Sequence, residues 1–254
     1  MRSDGSGVNG SASTLLEVEA EHVTRINGTF RVYVADHEGS EHIVLVRGDV
    51  RNREGVLCRV SSACVMSTAL GSAECDCMDQ LSAAMDLISN YEHGGIIIYL
   101  MDQEGRGHGL KWKIRALKHK NEGMDTFAAV EHLGLPPDIR DYTIVPRILD
   151  ELEVGSVTLL TNNPDKRDKI QRAGVHIKET QPLEVCPPQP AWRHMEAKRV
   201  RGHALTTWYI DAEAVGSAVP DGHLPVETSE HGYAPRGGLK PTVPVPTSPE
   251  PRRS

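Results

Sequence analysis

Three cysteines are the residues whose spacing most directly suggests chemistry. Cys64 is followed after ten residues by Cys75-Asp76-Cys77. Residues two apart on an extended chain point the same way, so Cys75 and Cys77 can grip one ion, with Cys64 as a third thiolate from the preceding apolar run. Three protein ligands leave one corner of a tetrahedron open to water, the arrangement of catalytic zinc, whereas structural zinc is closed by four ligands. Spacing alone leaves two alternatives open, namely three unrelated buried cysteines or a structural site completed by a distant histidine. Cys58, inside Val56-Leu57-Cys58, reads as a small buried hydrophobe, and Cys186, before Pro187-Pro188, receives no role.

Two other segments are suited to holding an anion. Gln103-Glu104-Gly105-Arg106-Gly107-His108-Gly109 follows an apolar run. Its glycines let the backbone approach a ligand, and Arg106 can pair with phosphate. Leu159-Leu160-Thr161-Asn162-Asn163-Pro164-Asp165-Lys166 reads as a strand, a polar turn and a helix with proline at its first position. Such a start presents N–H groups to an anion, with Thr161 and Lys166 as further donors. An ordinary capped helix would read the same way.

Composition limits what these residues can serve. The chain has 254 residues and a formal charge of −7, which excludes a general nucleic-acid binder. A charged substrate must be held by a local cluster of Arg and Lys. No apolar run approaches the roughly 20 residues of a membrane span, and Met1 to Ala12 lacks a signal-peptide core. The expectation is a cytoplasmic, reducing location with no membrane partner, where cysteines serve as ligands in preference to disulfides.

The elements that must position these residues alternate. Thr29 to Ala35, His42 to Val46 and Val56 to Ser62 read as strands, and the last runs into Cys64. Leu81, Ala84, Met85 and Ile88 share one helical face, predicting a helix over Asp79 to Tyr91. Ile96 to Leu100 is a continuous apolar run, the mark of a strand buried on both faces. Helices are predicted near 110–121, 126–133, 144–152 and 164–173, with a buried strand over 156–160. The pattern implies an α/β (α+β) fold, a mixed sheet flanked by helices. Residues 1–15 read as a flexible leader, 16–205 as the folded domain that carries these motifs, and 206–254, rich in Pro and Gly, as a disordered tail.

Together the cysteine spacing, Gln103-Glu104-Gly105-Arg106, Lys113-Ile114-Arg115-Ala116, Asp138-Ile139-Arg140-Asp141-Tyr142 and Leu160-Thr161-Asn162-Asn163-Pro164 resemble the GTP cyclohydrolase II family, over roughly residues 25 to 205. The resemblance implies zinc-dependent opening of the base ring of a nucleoside triphosphate, with release of formate and pyrophosphate, in riboflavin synthesis. It implies Cys64, Cys75 and Cys77 as zinc ligands, and Arg140 as the residue that attacks the α-phosphate or clamps it, with Asp138 as its orienter or base. Arg59, Thr161 and Lys166 would hold phosphates, and Gln80, Glu104, Gly105 and Arg106 would line the nucleotide site. Magnesium on the triphosphate and a homodimer are expected on the same ground.

The departures from the family cluster at the site. Ser61-Ser62-Ala63 stands where the family has His-Ser-Glu, and Glu74 and Met78 replace an Arg and a Gly around the paired cysteines. Leu117 replaces a Tyr that takes part in ring opening, and Ala128 replaces the Glu that reads guanine. Each charge-assisted bond so lost is worth about 1.5–3 kcal/mol. The substrate expectation therefore has alternatives: a non-guanine nucleotide such as UTP, or GTP processing that stops at a formylated product. A nucleotide-binding protein without turnover is the reading from another class.

Overall fold

The structure is a computed structural model describing residues 15–25 and 27–205. The leader expected over 1–15, apart from Leu15, and the tail expected over 206–254 lie outside the described residues.

A seven-stranded mixed sheet carries the chain in the order β1-β2-β3-β5-β4-β6-β7. β1 (Leu16–Val23), β2 (Thr29–His37) and β3 (Ser40–Arg47) form an antiparallel meander, and β3 pairs antiparallel with β5 (Gly95–Leu100). β4 (Val56–Ser62) lies parallel between β5 and β6 (Val157–Leu160), and β7 (Ile177–Gln181) continues the parallel half. The mixed α/β class expected from the sequence is the observed one. β1 and β7 are additions to that expectation: β7, IKETQ, is a charged edge strand with no apolar alternation to mark it, whereas β1 carries a strand pattern, Leu16, Val18 and Ala20 alternating with Glu17, Glu19 and Glu21, that the expectation leaves out.

β5 explains its own continuous apolar sequence. Ile96 and Ile98 enter one core with Val44, Val60 and Ile148, while Ile97 enters the other with Leu57, Phe30 and Ile88. Helix α1 (Val65–Thr68) follows β4 directly, and α2 (Cys77–Asn90) covers the second core. After β5 the chain turns through a 3-10 segment (Met101–Gly107) into α3 (Leu110–Asn121), α4 (Thr126–His132) and α5 (Ile144–Glu151), whose Val145 and Ile148 close the first core. α6 (Pro164–Arg172) follows β6, and α7 (Trp192–Val200) ends the described chain. Cys58 is fully buried among β-strand side chains, as its apolar setting suggested, and burial pushes its thiol up to about 12.

The three parallel strands β4, β5 and β6 all deliver chemistry at their C-terminal ends, to Cys64, Gln103 and Thr161 respectively. Open α/β sheets place ligands at that edge. The register that aligns these ends depends on Gly94 and Gly95. A Cβ on Gly94 (φ +69°) would lie 2.0 Å from the Arg47 carbonyl oxygen, and one on Gly95 would lie 2.5 Å from that of Leu57. Gly94→Ala is expected to cost more than about 2 kcal/mol of stability in urea unfolding, through backbone clash and a left-handed φ; a loss below about 0.5 kcal/mol would contradict this.

Candidate active site

Cys64 caps α1 immediately after β4, and Cys75 and Cys77 flank Asp76 where the chain turns into α2. Asp76 has φ −94° and ψ 11°, so the alternation of an extended chain is not what pairs the two cysteines. The turn into α2 pairs them. The three Sγ atoms lie within 4.8 Å of one another, and Cys64 Sγ is 3.7 Å from Cys75 Sγ. A tetrahedral site with bonds of ~2.3 Å has ligand–ligand edges of about 3.8 Å, which the Cys64–Cys75 separation matches, so the cluster could hold a metal ion.

The groups around the thiols are charged and buried. Lys113 Nζ donates to Cys64 Sγ at 3.0 Å and to Glu104 Oε1 at 2.5 Å, and Glu104 Oε2 accepts from the backbone N–H of Val65 at 2.7 Å. Hydrogen bonds from Cys75 and Cys77 hold the Cys64 thiol far below its ordinary range, while the reverse bonds and burial push Cys77 well above it. One thiol therefore ionises readily, and the cluster resists further ionisation unless a cation enters it. Asp76 is fully buried, accepting from Lys198 Nζ at 2.6 Å and from Gln80 Nε2 at 2.5 Å.

The cysteines border a cavity of about 550 Å³ that is also lined by Arg59, Arg106, Arg140 and Lys166. Arg140 donates from Nε to Asp138 Oδ1 (2.9 Å) and Oδ2 (3.1 Å) and from Nη1 to Ser62 Oγ (3.2 Å). Burial works against the Arg140 charge, but the Asp138 carboxylate outweighs it and holds the guanidinium protonated. Lys166 is buried, donates to the Val60 carbonyl at 2.9 Å, and is driven well below its ordinary range by burial and by the charges of Arg59 and Arg140. Arg59 donates to the Leu160 carbonyl at 2.8 Å and to Gln80 Oε1 at 2.5 Å. Arg106, at φ 62°, stacks its guanidinium 3.8 Å from the Phe127 ring centroid and is lowered to about 10 by burial and by the charge of Arg140. These cations destabilise one another, so an anion bound among them would relieve the strain.

The structure brings most of the expected site residues to one cavity. Cys64, Cys75, Cys77, Arg59 and Gln80 line it, as do Gly105, Arg106 and Leu117. Asp138, Arg140, Thr161 and Lys166 complete the set. Two do not line it. Glu104 lies beneath the wall, holding Lys113 and the start of α1. Ala128 is off the wall, where α4 presents Thr126, Phe127 and Val130. Of the two readings of the helix start at Pro164, the capped helix is the one observed, because Asn163 Oδ1 accepts from the N–H groups of Asp165 (3.0 Å) and Lys166 (3.3 Å). Side-chain cations, more than helix N–H groups, are what the cavity offers to an anion here.

Sequence reasoning misses Lys113, whose motif is visible but carries no evident role, and the cavity residues His194, Lys198, Arg201 and His203 on and after α7. No local motif marks α7. Its residues matter only through contacts that cross the molecule, such as Thr126 Oγ1 to His194 Nδ1 at 2.8 Å.

The family model for GTP cyclohydrolase II matches residues 16–182. The GTP cyclohydrolase-2 of Streptomyces coelicolor is 42% identical over 178 residues, covering 69% of this chain and 80% of that protein. The riboflavin biosynthesis protein RibBA of Salinispora arenicola is 40% identical over 80% of this chain and 49% of its own length, and that of Mycobacterium marinum is 44% identical over 74% and 45%. The chain thus spans about half the length of the RibBA relatives.

The Asp138–Arg140 pair predicts a pH dependence. Burial would raise the Asp138 carboxyl, but Arg140 outweighs it and holds it at about 2. The folded carboxyl binds its proton less readily than the unfolded one, so the pair's contribution, on the order of 2 kcal/mol, is whole above about pH 4 and is lost as pH falls toward 2. Asp138→Asn should therefore flatten the fall of urea-unfolding stability between pH 4 and pH 2; an unchanged slope would contradict the pairing.

Proposed function

The chain belongs to the GTP cyclohydrolase II family, and we propose that it is a zinc-dependent hydrolase that opens the base ring of a nucleoside triphosphate and releases pyrophosphate. The observation that carries this reading is the pairing within one cavity of three thiols within 4.8 Å of one another and a group of buried, mutually repelling cations. Zinc held by Cys64, Cys75 and Cys77 would supply a water of lowered pKa as the nucleophile for the ring carbon.

The chain's own residues account for the rest. Arg59, Lys166 and Arg106 gather the triphosphate, with Thr161 as a hydroxyl donor and magnesium on the phosphates completing the neutralisation. Arg140 is best read as a phosphate clamp. Its guanidinium is kept protonated by Asp138, and a protonated guanidinium has no free lone pair with which to attack phosphorus. Gln80 ties Arg59 to the metal loop through Asp76, so the two ends of the substrate are held in one frame. Residues 16–205 form the catalytic domain in this reading, since α7 contributes cavity residues. Leu110 and Ile114, exposed one turn apart on α3, offer an apolar face for the homodimer that the resemblance implies.

GTP is the substrate named by the relatives, and the wall near the cysteines favours a second reading. Leu117 and Val130 line it, and α4 brings no carboxylate to it among the described residues. A base with fewer donors than guanine, such as the uracil of UTP, would leave less unpaired there. A GTP reaction that ends at the formylated product is consistent with Leu117, which has no hydroxyl to offer the second bond cleavage.

Zinc-loaded protein incubated with GTP, ATP, UTP and CTP plus magnesium, with products read by ultraviolet spectrum and mass, tests the proposal. Ring opening and pyrophosphate are expected from one of them, and none from Cys75→Ser shown to be zinc-free, with nucleotide affinity kept within about threefold. A zinc-free variant that still opens the ring would refute the zinc chemistry. Wild-type protein that binds but turns over none of the four would favour a binding protein. Arg140→Ala should suppress pyrophosphate release, and a wild-type yield would remove its proposed role.

A further inference from the structure

The segment from Trp192 to Ala204 lies beyond the residues matched by the family model, yet it forms a wall of the cavity. It is pinned at three places. Lys198 Nζ reaches Asp76 Oδ1 at 2.6 Å on the metal loop. His194 and Arg201 meet α4, through Thr126 Oγ1 at 2.8 Å and Glu131 Oε1 at 3.0 Å, and Arg201 stacks 4.2 Å from the Phe127 ring centroid. The N–H of Ala204 donates to the Asn162 carbonyl at 2.8 Å in the turn after β6.

We infer that Lys198 is a positioning residue for the metal loop, acting through Asp76. Asp76 is 0% exposed between two of the three cysteines, and among the described residues Lys198 is the cation in salt-bridge contact with it. A carboxylate removed from water in this way is tolerated only with a charged partner and filled lone pairs. Lys198 takes one oxygen, and Gln80 Nε2 takes the other at 2.5 Å. Gln80 in turn accepts from Arg59, which donates to the Leu160 carbonyl. One line of bonds therefore runs from α7 through the metal loop to the strand ends that carry the phosphate-facing cations. Lys198 neutralises the charge that would otherwise distort the Cys75–Cys77 turn and fixes the carboxylate orientation that holds Gln80 and Arg59. It touches neither the metal nor the reacting atoms.

This inference rests on the zinc reading above, and its test separates the two. Zinc-loaded wild type, Lys198→Met, Asp76→Asn and Asp76→Asn/Lys198→Met would be mixed with a chromophoric chelator and the rate of zinc release followed, beside nucleotide turnover on the same preparations. Lys198→Met should release zinc roughly 10- to 100-fold faster, the range typical for loss of a partner just outside the metal's own ligands. The double variant, which removes the stranded charge, should return to within about threefold of Asp76→Asn. A role in general stability alone would lower the urea midpoint of Lys198→Met and leave its zinc-release rate at the wild-type value. Should Lys198→Met fail to fold, a double variant that folds and retains zinc supports the inference by the same rescue. Wild-type release from Lys198→Met, or equal loss from Lys198→Met and the double variant, would overturn the inference. Absence of ring opening with Lys198-dependent zinc release intact would overturn only the reaction, and a wild type that takes up no zinc would overturn both.

Discussion

Three thiols held within 4.8 Å of one another form an arrangement that cannot ionise fully without a cation among them. Much of the surrounding structure answers that constraint. Lys113 approaches Cys64 from α3 and is itself held by Glu104, whose other oxygen secures the first N–H of α1. Asp76 adds a buried negative charge at the same place, and Lys198 and Gln80 satisfy it from two sides. The metal loop is thus surrounded by charge pairs. None of them is strong evidence of stability, but each restricts where the thiols can point.

The sheet supplies the frame for these pairs. β4, β5 and β6 are parallel and end at the same edge, so residues from distant parts of the chain, such as Arg59, Gln103 and Lys166, meet without long loops. The cavity they border combines apolar and cationic side chains. α3 and α4 present Leu117, Val130 and Phe127 to it, with Arg106 stacked on Phe127, while Arg59, Arg140 and Lys166 crowd together at the strand ends.

The interior of the molecule is legible in the sequence and its margins are obscure. β5 can be read because Ile96, Ile97 and Ile98 are buried on both faces, and α2 because Ala84 and Ile88 recur on one side. β7 cannot, since an edge strand needs little apolar surface and IKETQ carries one apolar residue, whereas β1 is legible in the alternation of Leu16, Val18 and Ala20 with three glutamates. At the site, the cysteine cluster is readable from spacing, although a turn into a helix replaces the extended geometry expected for Cys75 and Cys77. The family resemblance puts Glu104 and Ala128 on the nucleotide wall, and the structure puts one beneath it and the other beside it. Lys198 and His194 are invisible in the sequence because their partners, Asp76 and Thr126, are 122 and 68 positions away. Side chains whose importance lies in a single long-range contact leave no periodic or local trace.

The zinc chemistry stands on Cys64, Cys75 and Cys77 holding one ion and leaving a coordination position open. X-ray absorption at the zinc edge of the purified holoprotein tests this most directly. The expected result is one zinc per chain with three sulfur scatterers at ~2.3 Å and one lighter oxygen or nitrogen neighbour near ~2.0 Å. Four sulfur neighbours, or a protein that binds no zinc at these thiols, would contradict it.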